Sequence, residues 1–378
     1  MKFTVARDVL ADAVAWAART VPNRPSVPIL AGIRLKTGSD TLELSSFDYE
    51  ISTRTEIPAE IVAPGDLLVS GRLLASITKS LPNQPVQCTL EGNKLSLVCG
   101  TAHFTLATMS VDEYPPMPQL PQVGGRVDAH ELAQAIAQVS VAASSDDTIP
   151  LLTSVRMEIE DDTITLLATD RYRLGMRELK WNPNKAGIST ALLVKARTLG
   201  DVAKSMTSGG EVELAFDASP DAPLNSLIGF IAGARQTTST LMDGDYPPVR
   251  RLFPEETLVH AVVNRVELLE AVRRVSLVAE AKTSVRLGFD ENQVVLEAGQ
   301  DDNAQASEVI AAQLDGEPLR TAFNPRYLEA GLAALSTDYV RFSFTDAAKP
   351  AVISGQKEID GDVDKNFRYL IMPIRFGL

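Results

Sequence analysis

Histidine and cysteine, two residue types that often carry chemistry, are scarce in this chain of 378 residues. The three histidines, His103, His130 and His260, have no cysteine or carboxylate at the spacing of a metal-ligand motif. Cys88 and Cys99 lie in alternating apolar segments, a pattern typical of buried free thiols, and two cysteines cannot form a disulfide framework or a four-thiolate zinc site. We therefore expect no metal site and a reducing, cytoplasmic location.

One acidic run has the outline of a calcium-binding loop. Residues 360–364 read Asp-Gly-Asp-Val-Asp, but such a loop has glycine at its sixth position and glutamate at its twelfth, where this chain has Lys365 and Ile371. A solvated hairpin tip explains the run better. The chain also has no GxxxxGK[ST] phosphate loop, no strand-linked GxGxxG and no GxSxG turn. These observations predict a protein with no active site and no cofactor.

The elements that would position any functional residue are organised as a threefold repeat. Segments around Leu10, Leu132 and Leu268 place apolar residues at the helical spacing i, i+3 and i+4. A second helical segment follows each of them, at 72–77, 197–202 and 326–332. Stretches between the helices, such as 51–57, alternate apolar and polar residues, which predicts half-buried strands.

Two matched linkers mark the ends of the first and second repeats. They read DEYPP at 112–116 and GDYPP at 244–248, and consecutive prolines favour extended connectors over helix or central strand. We therefore predict an α+β protein of three repeated domains, at 1–122, 123–254 and 255–378, each with an antiparallel sheet and two helices.

The charge balance argues against a protein that grips nucleic acid over its surface. There are 36 basic and 49 acidic residues, a net charge of −13, whereas nucleic-acid-binding domains are usually basic. The six predicted helical segments carry eleven basic and seven acidic residues, so they are net positive while the remainder is strongly negative. Lysine and arginine are also good helix formers, so the excess alone leaves ordinary solvated helices as an alternative.

Several segments together resemble those of one family, the bacterial DNA polymerase III sliding clamps (the β subunit of the replicative polymerase). The matching segments are 1–5 (MKFTV), 24–30 (RPSVPIL), 168–174 (ATDRYRL), 243–247 (DGDYP), 250–252 (RRL), 323–324 (FN) and 369–375 (YLIMPIR). Their order on a triple repeat of this length makes the resemblance specific, although none of the segments would be specific alone.

The resemblance implies the DNA clamp fold and a head-to-tail homodimer whose six domains form a ring around duplex DNA, with helices lining the hole. Its partners would be double-stranded DNA of any sequence, the replicative polymerase, an ATP-dependent clamp loader and other proteins that carry short clamp-binding peptides. The chain itself would be non-catalytic and would confer processivity. Because such a ring retains DNA by topology, a negative net charge is compatible with it.

The resemblance also implies a hydrophobic pocket that receives peptides with Gln-, Leu- and Phe-type anchors. Its walls would be Leu152, Thr169, Leu174, Pro247, Leu252, Leu370 and Met372. A neighbouring subsite would comprise Tyr172, Arg173, Asn324, Tyr327, Pro373, Ile374 and Arg375. The alternative is that the apolar members are ordinary core. Arg171, in place of a smaller residue, and the extension 376–378 depart from the family pattern, which leaves peptide preference open.

Helix position and the family segments indicate further functional residues. The candidates for facing DNA are Arg24, Arg72, Lys79, Lys195, Arg197, Lys204, Arg265 and Lys282, with simple solvation as the alternative. Leu106 and Leu277 are predicted members of the dimer interface. The competing hypothesis for the whole chain is a non-catalytic three-repeat scaffold that has a peptide-binding cleft but does not encircle DNA.

Overall fold

The computed structural model describes residues 1–206, 209–217, 226–279, 284–299 and 304–374. The helices in these ranges are α1 (Arg7–Ala17), α2 (Gly71–Ser80), α3 (Ala129–Ser140), α4 (Ala196–Ser205), α5 (Arg265–Val275) and α6 (Pro325–Ala334). All six lie where the repeat predicts helices. In the part of the chain described, none of them is long and apolar enough to cross a membrane.

Most strands lie between and after the helices of each repeat, as the alternating segments predict, and one further strand precedes the first helix of each repeat. They are β1 (Lys2–Val5), β2 (Gly32–Thr37), β3 (Thr41–Phe47), β4 (Ile51–Pro58), β5 (Glu60–Ala63), β6 (Asp66–Ser70), β7 (Val86–Glu91), β8 (Lys94–Cys99), β9 (Ala102–Met109), β10 (Val123–Asp128), β11 (Ser154–Glu160), β12 (Thr163–Thr169), β13 (Arg173–Lys180), β14 (Asn182–Pro183), β15 (Ser189–Lys195), β16 (Glu211–Phe216), β17 (Leu227–Ala232), β18 (Arg235–Thr240), β19 (Val259–Asn264), β20 (Val285–Asp290), β21 (Gln293–Ala298), β22 (Ala306–Asp315), β23 (Leu319–Phe323), β24 (Tyr339–Phe344), β25 (Ala351–Gln356) and β26 (Val363–Ile371).

The first of two compact units comprises Met1–His130, Asn182–Ala186 and Lys204–Leu241. Its described strands form one antiparallel sheet in the order β14-β10-β16-β17-β18-β4-β3-β2-β6-β9-β8-β7-β1-β5. The apolar faces of α1 and α2 are buried against this sheet, with Leu10 and Leu74 in the same core as Ile33. The helical spacing therefore produces the packing that it predicts.

The second unit comprises Glu131–Trp181, Gly187–Ala203 and Met242–Leu378. Its described strands form another antiparallel sheet, in the order β15-β11-β12-β13-β26-β25-β24-β19-β22-β21-β20-β23. Helix α6 lies directly on this sheet, because a Cβ atom at Gly331 would be 2.5 Å from the ring of Tyr369. Glycine at this position therefore permits close contact between helix and sheet.

Both sheets run across the boundaries between the predicted domains. In the first unit β18 pairs with β4, and in the second unit β26 pairs with β13. The strands of the central repeat are consequently divided between the two units. The boundaries 1–122, 123–254 and 255–378 follow the sequence repeat and remain a prediction, because the compact units follow the continuous sheets.

The two linkers have the same structural role in different places. Tyr114 and Tyr246 are both buried, and their hydroxyls accept hydrogen bonds from the amides of Phe47 (2.7 Å) and Thr169 (3.1 Å). Burial raises the pKa of each phenol to about 12. Each extended linker is thus anchored to the end of a strand by its tyrosine, which the matched sequence did not by itself reveal.

Two further predictions are confirmed by the local structure. Cys88 and Cys99 are buried free thiols, and burial raises the pKa of Cys88 to about 12. The acidic run 360–364 lies in the connection between β25 and β26 and at the start of β26, where the two strands form a hairpin.

Candidate functional site

The turn between β12 and β13 shapes the predicted peptide site. The Asp170 carboxylate accepts hydrogen bonds from the amides of Tyr172 (3.0 Å) and Arg173 (3.1 Å). The Thr169 hydroxyl donates to the Arg173 carbonyl (2.6 Å) and accepts from the Arg171 amide (3.1 Å). Arg171 has a φ of +81°, a conformation that is costly for a side chain other than glycine. The hydrogen bonds hold this turn, and Tyr172 is left 53% exposed.

An aromatic and cationic group extends from this turn to α6. The rings of Tyr172 and Tyr327 are stacked with centroids 6.1 Å apart, and the Arg173 guanidinium lies 4.4 Å from the Tyr327 centroid. Burial acts to lower the pKa of Arg173, but Tyr369 and Asp170 act more strongly together to raise it above its ordinary value. Arg173 therefore stays charged while it contacts the ring.

Asn324, another predicted member of the subsite, has a structural role at the start of α6. Its side-chain oxygen accepts a hydrogen bond from the amide of Arg326 (3.0 Å), which caps the helix. The cap fixes the first turn of α6, from which the Tyr327 ring contacts Tyr172 and Arg173.

The segment after β26 is held by backbone hydrogen bonds. The Met372 amide donates to the Tyr172 carbonyl (2.9 Å), and the Ile374 amide donates to the Ala322 carbonyl (2.7 Å). These bonds bring Met372, Pro373 and Ile374 to the turn and to β23, as the predicted site requires. Arg375, predicted for the same subsite, lies outside the described residues, as do residues 376–378.

The apolar members of the predicted pocket differ in exposure. Leu152, Leu174 and Leu370 are buried in one cluster, and Thr169 is buried as well. Leu252 and Met372 are 54% and 41% exposed, and Pro247 is also exposed. Both interpretations of the sequence therefore apply: some members are core, whereas others present apolar surface.

The sequence did not predict the other ten residues of this cluster as part of the site. They are Ile149, Leu151, Leu167, Met176, Leu193, Met242, Tyr246, Val249, Phe253 and Val352. The signal that was available is the GDYPP linker, because its tyrosine and the residues that follow it are part of the cluster.

The predicted DNA-facing residues fall into two groups. Arg24, Arg72, Lys79, Arg197 and Lys204 are exposed, whereas Lys195 and Arg265 are half-buried. Arg72 donates a hydrogen bond to Asn23, which lies beside Arg24 in sequence. Lys282 lies outside the described residues.

Several helical arginines are bound within the chain. Arg265 donates to the Thr337 carbonyl (2.6 Å), Arg273 forms an ion pair with Glu329 (2.8 Å), and Arg274 forms one with Glu308 (2.6 Å). The positive excess of the helical segments therefore overstates the charge that α5 offers to a polyanion. The basic residues of α2, Arg72 and Lys79, form no ion pair within the described ranges and are better candidates.

The two predicted interface residues occupy different environments. Leu106, in β9, is 2% exposed and belongs to the core of the first unit. Leu277 follows α5 in a short 3-10 turn and is 85% exposed, the largest exposure among the large apolar residues described. Of these two residues, Leu277 has an exposed side chain and Leu106 does not. Phe104, two residues before Leu106 on β9, is 37% exposed.

His260, on β19, lies close to the hydroxyl of a residue on the neighbouring strand β24. The Nδ1 atom of His260 is 3.2 Å from the Ser343 hydroxyl, and burial followed by the nearby Arg341 lowers the His260 pKa. Across the described ranges, no three His, Cys, Asp or Glu side chains are grouped as they would be around a metal ion.

Comparison with known proteins identifies the class first. The structure superposes on the DNA polymerase sliding clamp of Bacillus subtilis with a TM-score of 0.90 and 27% identity, with full coverage of both chains. A Pseudomonas aeruginosa clamp bound to griselimycin gives a TM-score of 0.89 at 25% identity, again with full coverage of both chains. The fold is the DNA clamp.

The sequence comparisons then identify the family. The chain matches the family models of the three domains of the DNA polymerase III beta subunit. The N-terminal domain matches residues 1–118, the central domain 126–248 and the C-terminal domain 250–375. The beta sliding clamp of Streptomyces coelicolor is 49% identical over the whole of both chains. That of Micrococcus luteus is 51% identical, over 83% of this chain and all of its own. The chain belongs to the DNA polymerase III beta subunit family, and its function is that of a DNA sliding clamp.

Proposed function

We propose that two copies of this chain close head to tail into a ring around duplex DNA, and that the surface around the β12–β13 turn tethers the replicative polymerase by a short peptide. The chain itself performs no catalysis and works in the cytoplasm, where an ATP-dependent loader opens and closes the ring. One observation carries the ring: the way in which successive repeats share their sheets.

Equivalent strands can be recognised from their order in each repeat. β4, β13 and β22 each complete the second hairpin after the first helix, and β9, β18 and β26 are the last strands of their repeats. The middle strand of one repeat pairs with the last strand of the next, as β4 does with β18 and β13 with β26. This rule leaves β22 without a following repeat and β9 without a preceding one.

The two remaining strands have open edges of the expected kind. Residues 102–107 of β9 pair only with β8, and residues 306–311 of β22 pair only with β21, within the described ranges. An exposed strand edge is a template for pairing with another chain. Pairing of β22 with β9 of a second copy, twice, closes the ring and satisfies both edges.

The repeat also gives the register of this pairing. Ser52 faces Thr238 and Leu174 faces Leu370 in the two internal pairs. Counting from the equivalent hairpins, and extending the β21–β22 register by one residue, we take Gln305 and Thr105 as the equivalent positions. In this antiparallel register His103 of one copy faces Ser307 of the other. Facing Cα atoms in antiparallel strands are about 4.5–5.5 Å apart, which suits a disulfide.

Oxidative cross-linking and light scattering test the ring. We expect a mass near twice 40.8 kDa and a covalent dimer in the variant His103→Cys/Ser307→Cys. The natural cysteines are suitable background because both are buried. His103→Cys/Val309→Cys, displaced by two residues, is the matched control and should cross-link poorly. A monomer at micromolar concentration would contradict the ring.

Retention on DNA distinguishes the ring from a scaffold that does not encircle DNA. Once loaded, a closed ring should stay on circular DNA at salt concentrations that release ordinary DNA-binding proteins. Salt weakens contacts with phosphates, whereas the ring is retained because it encircles the duplex. It should leave when the circle is cut. Equal loss from circular and linear DNA would favour the scaffold.

The peptide site rests on the apolar surface beside the turn. Buried Leu174 and Leu370 are accompanied by exposed Met372 and Leu252, and flexible methionine side chains suit a site that accepts several peptides. The griselimycin-bound clamp from Pseudomonas aeruginosa shows that a protein of this fold binds an added ligand. Fluorescence anisotropy with polymerase-tail peptides is the direct test.

A further inference from the structure

Strand β26 carries a cation, Arg368, two residues before Leu370 of the proposed peptide site. Successive side chains of a strand point to opposite faces, so Arg368 lies on the same face as Leu370 and Met372. Its register partner on β13 is Met176, just as Leu174 is the partner of Leu370. Arg368 therefore occupies the next position along the face that carries the apolar site.

The guanidinium of Arg368 rests on the apolar cluster itself. Its Cζ atom lies 4.7 Å from the centroid of the Phe253 ring, and its Nη2 atom lies 3.8 Å from the Met176 sulfur. Phe253 and Met176 are both members of the cluster that contains Leu174 and Leu370. The cation is thus part of this surface and is half-buried there.

Arg368 lacks a carboxylate partner in the described ranges. No ion pair joins it to the rest of the chain, and its Nε atom is buried without a hydrogen-bond acceptor. Burial is the main cause of its lowered pKa; Glu178 opposes this effect and Arg250 adds to it. Arg250, in contrast, donates hydrogen bonds to Glu158 and Thr165. A partly desolvated cation without a partner is costly, and an incoming anion would offset that cost.

We infer that Arg368 selects partner peptides that carry an aspartate or glutamate next to their apolar anchors. A guanidinium can donate two parallel hydrogen bonds to a carboxylate, and the apolar surroundings strengthen such a contact. The inference deepens the proposed peptide-binding function and rests on it. A chain of net charge −13 can bind an acidic peptide in this way, because the peptide carboxylate interacts with the nearby Arg368 and not with the net charge of the chain.

A peptide series combined with variants of the clamp tests this assignment. The probes are fluorescein-labelled ten-residue peptides with fixed Gln, Leu and Phe anchors, in which each other position carries Asp in turn, each with a matched Asn peptide. For the wild-type protein, at one position at least, we expect the Asp peptide to bind about tenfold more tightly than its Asn counterpart, a preference that declines as salt is raised.

The matched variants are Arg368→Gln and Lys365→Gln, which each remove one positive charge from β26. Lys365 is exposed and lies outside the part of β26 that pairs with β13, so its variant should keep the Asp preference, whereas Arg368→Gln should abolish it. Arg368→Lys should keep a reduced preference because it retains the charge but not the fork. Thermal unfolding of each variant verifies that the protein is folded.

The outcomes separate this inference from the function on which it rests. If no peptide binds wild-type protein, or if Leu174 and Met372 variants bind normally, the peptide site itself is misplaced. If the Asn peptides bind and respond to those variants, but the Asp preference is absent or persists in Arg368→Gln, only the role of Arg368 is overturned.

Discussion

The strand pair β4–β18 of the first unit and the pair β13–β26 of the second are equivalent in the repeat but present different side chains. At the matched facing positions the first pair has Ser52 and Thr238, and the second has Leu174 and Leu370. The turns that precede β4 and β13 also match. Tyr49 and Arg171 both have positive φ, and an aspartate accepts two backbone hydrogen bonds in each turn.

The difference therefore lies in the side chains and not in the backbone. The hydroxyls of Ser52 and Thr238 are hydrogen-bonded to each other and buried, so the first pair satisfies its own polar groups. The leucines of the second pair join an apolar cluster that continues to exposed Met372. The same backbone framework thus carries a buried polar contact in the first pair and an apolar surface that is partly exposed in the second.

Leu174→Ser should have the largest effect on peptide binding and stability. It puts into β13 the residue type that β4 has at the equivalent position, Ser52. Loss of a fully buried leucine costs about 3 kcal/mol of stability and should weaken binding of polymerase-tail peptides more than about tenfold. Anisotropy titrations and denaturant unfolding measure the two effects. Leu174→Met, which conserves volume, is the control, and normal peptide affinity in Leu174→Ser would disprove the pocket.

Met372→Ala should weaken peptide binding several-fold without changing stability by more than about 0.5 kcal/mol, because the side chain is already 41% exposed. The same titrations report it. Val62→Ala removes another exposed apolar side chain, on β5 of the first unit, and should leave binding unaffected. Equal effects of the two changes would mean that the assay senses apolar surface in general.

Ionisation of the two linker tyrosines should contribute to unfolding at alkaline pH. Tyr114 and Tyr246 have folded-state pKa values of about 12, above the value near 10 of an unfolded tyrosine. Their contribution to stability is fully present below pH 10 and is lost as pH rises from 10 towards 12. Denaturant unfolding at a series of pH values should show a shallower alkaline decline in Tyr114→Phe and in Tyr246→Phe.

The same two variants should differ in function. Each removes the hydrogen bond that the phenol accepts from a strand amide, worth about 1 kcal/mol, but of the two only Tyr246 binds the amide of Thr169, in the turn of the proposed peptide site. Peptide affinity should therefore fall modestly in Tyr246→Phe and stay unchanged in Tyr114→Phe. A reversed order would separate the turn from the binding surface.

Ser52→Ala should have the smallest effect. It leaves Thr238 without one hydrogen-bond partner and costs about 1 kcal/mol of stability, with no change in peptide affinity. The double variant Ser52→Ala/Thr238→Val removes both polar groups and should recover part of the loss. Weaker peptide binding in either variant would argue that the first pair also takes part in recognition.

The local features of the fold were predictable from the sequence. The periodicity around Leu10, Leu132 and Leu268 located the helices, and the paired prolines located the linkers. The family segments indicated the turn at 169–174 and the end of β26. Exposure was less predictable, since Leu174 and Met372 are both apolar residues of the predicted site and only the structure shows which of them is buried.

Pairings between distant strands were not predictable. Nothing in residues 51–58 indicates that their partner is 235–240, because the choice depends on the packing of intervening elements. The same limit applies to charge: Arg273 and Arg274 counted as free helical cations until the structure placed Glu329 and Glu308 beside them.

The shared sheets also constrain how the chain folds during synthesis. Strand β4 is made early, but its neighbour β18 emerges from the ribosome only after residue 235, and β13 must wait for β26 near residue 363. Until then each repeat exposes a bare strand edge, which invites pairing with the wrong chain. Residues 1–122 expressed alone should therefore aggregate through the uncovered edge of β4, even though the sequence marks them as a complete repeat.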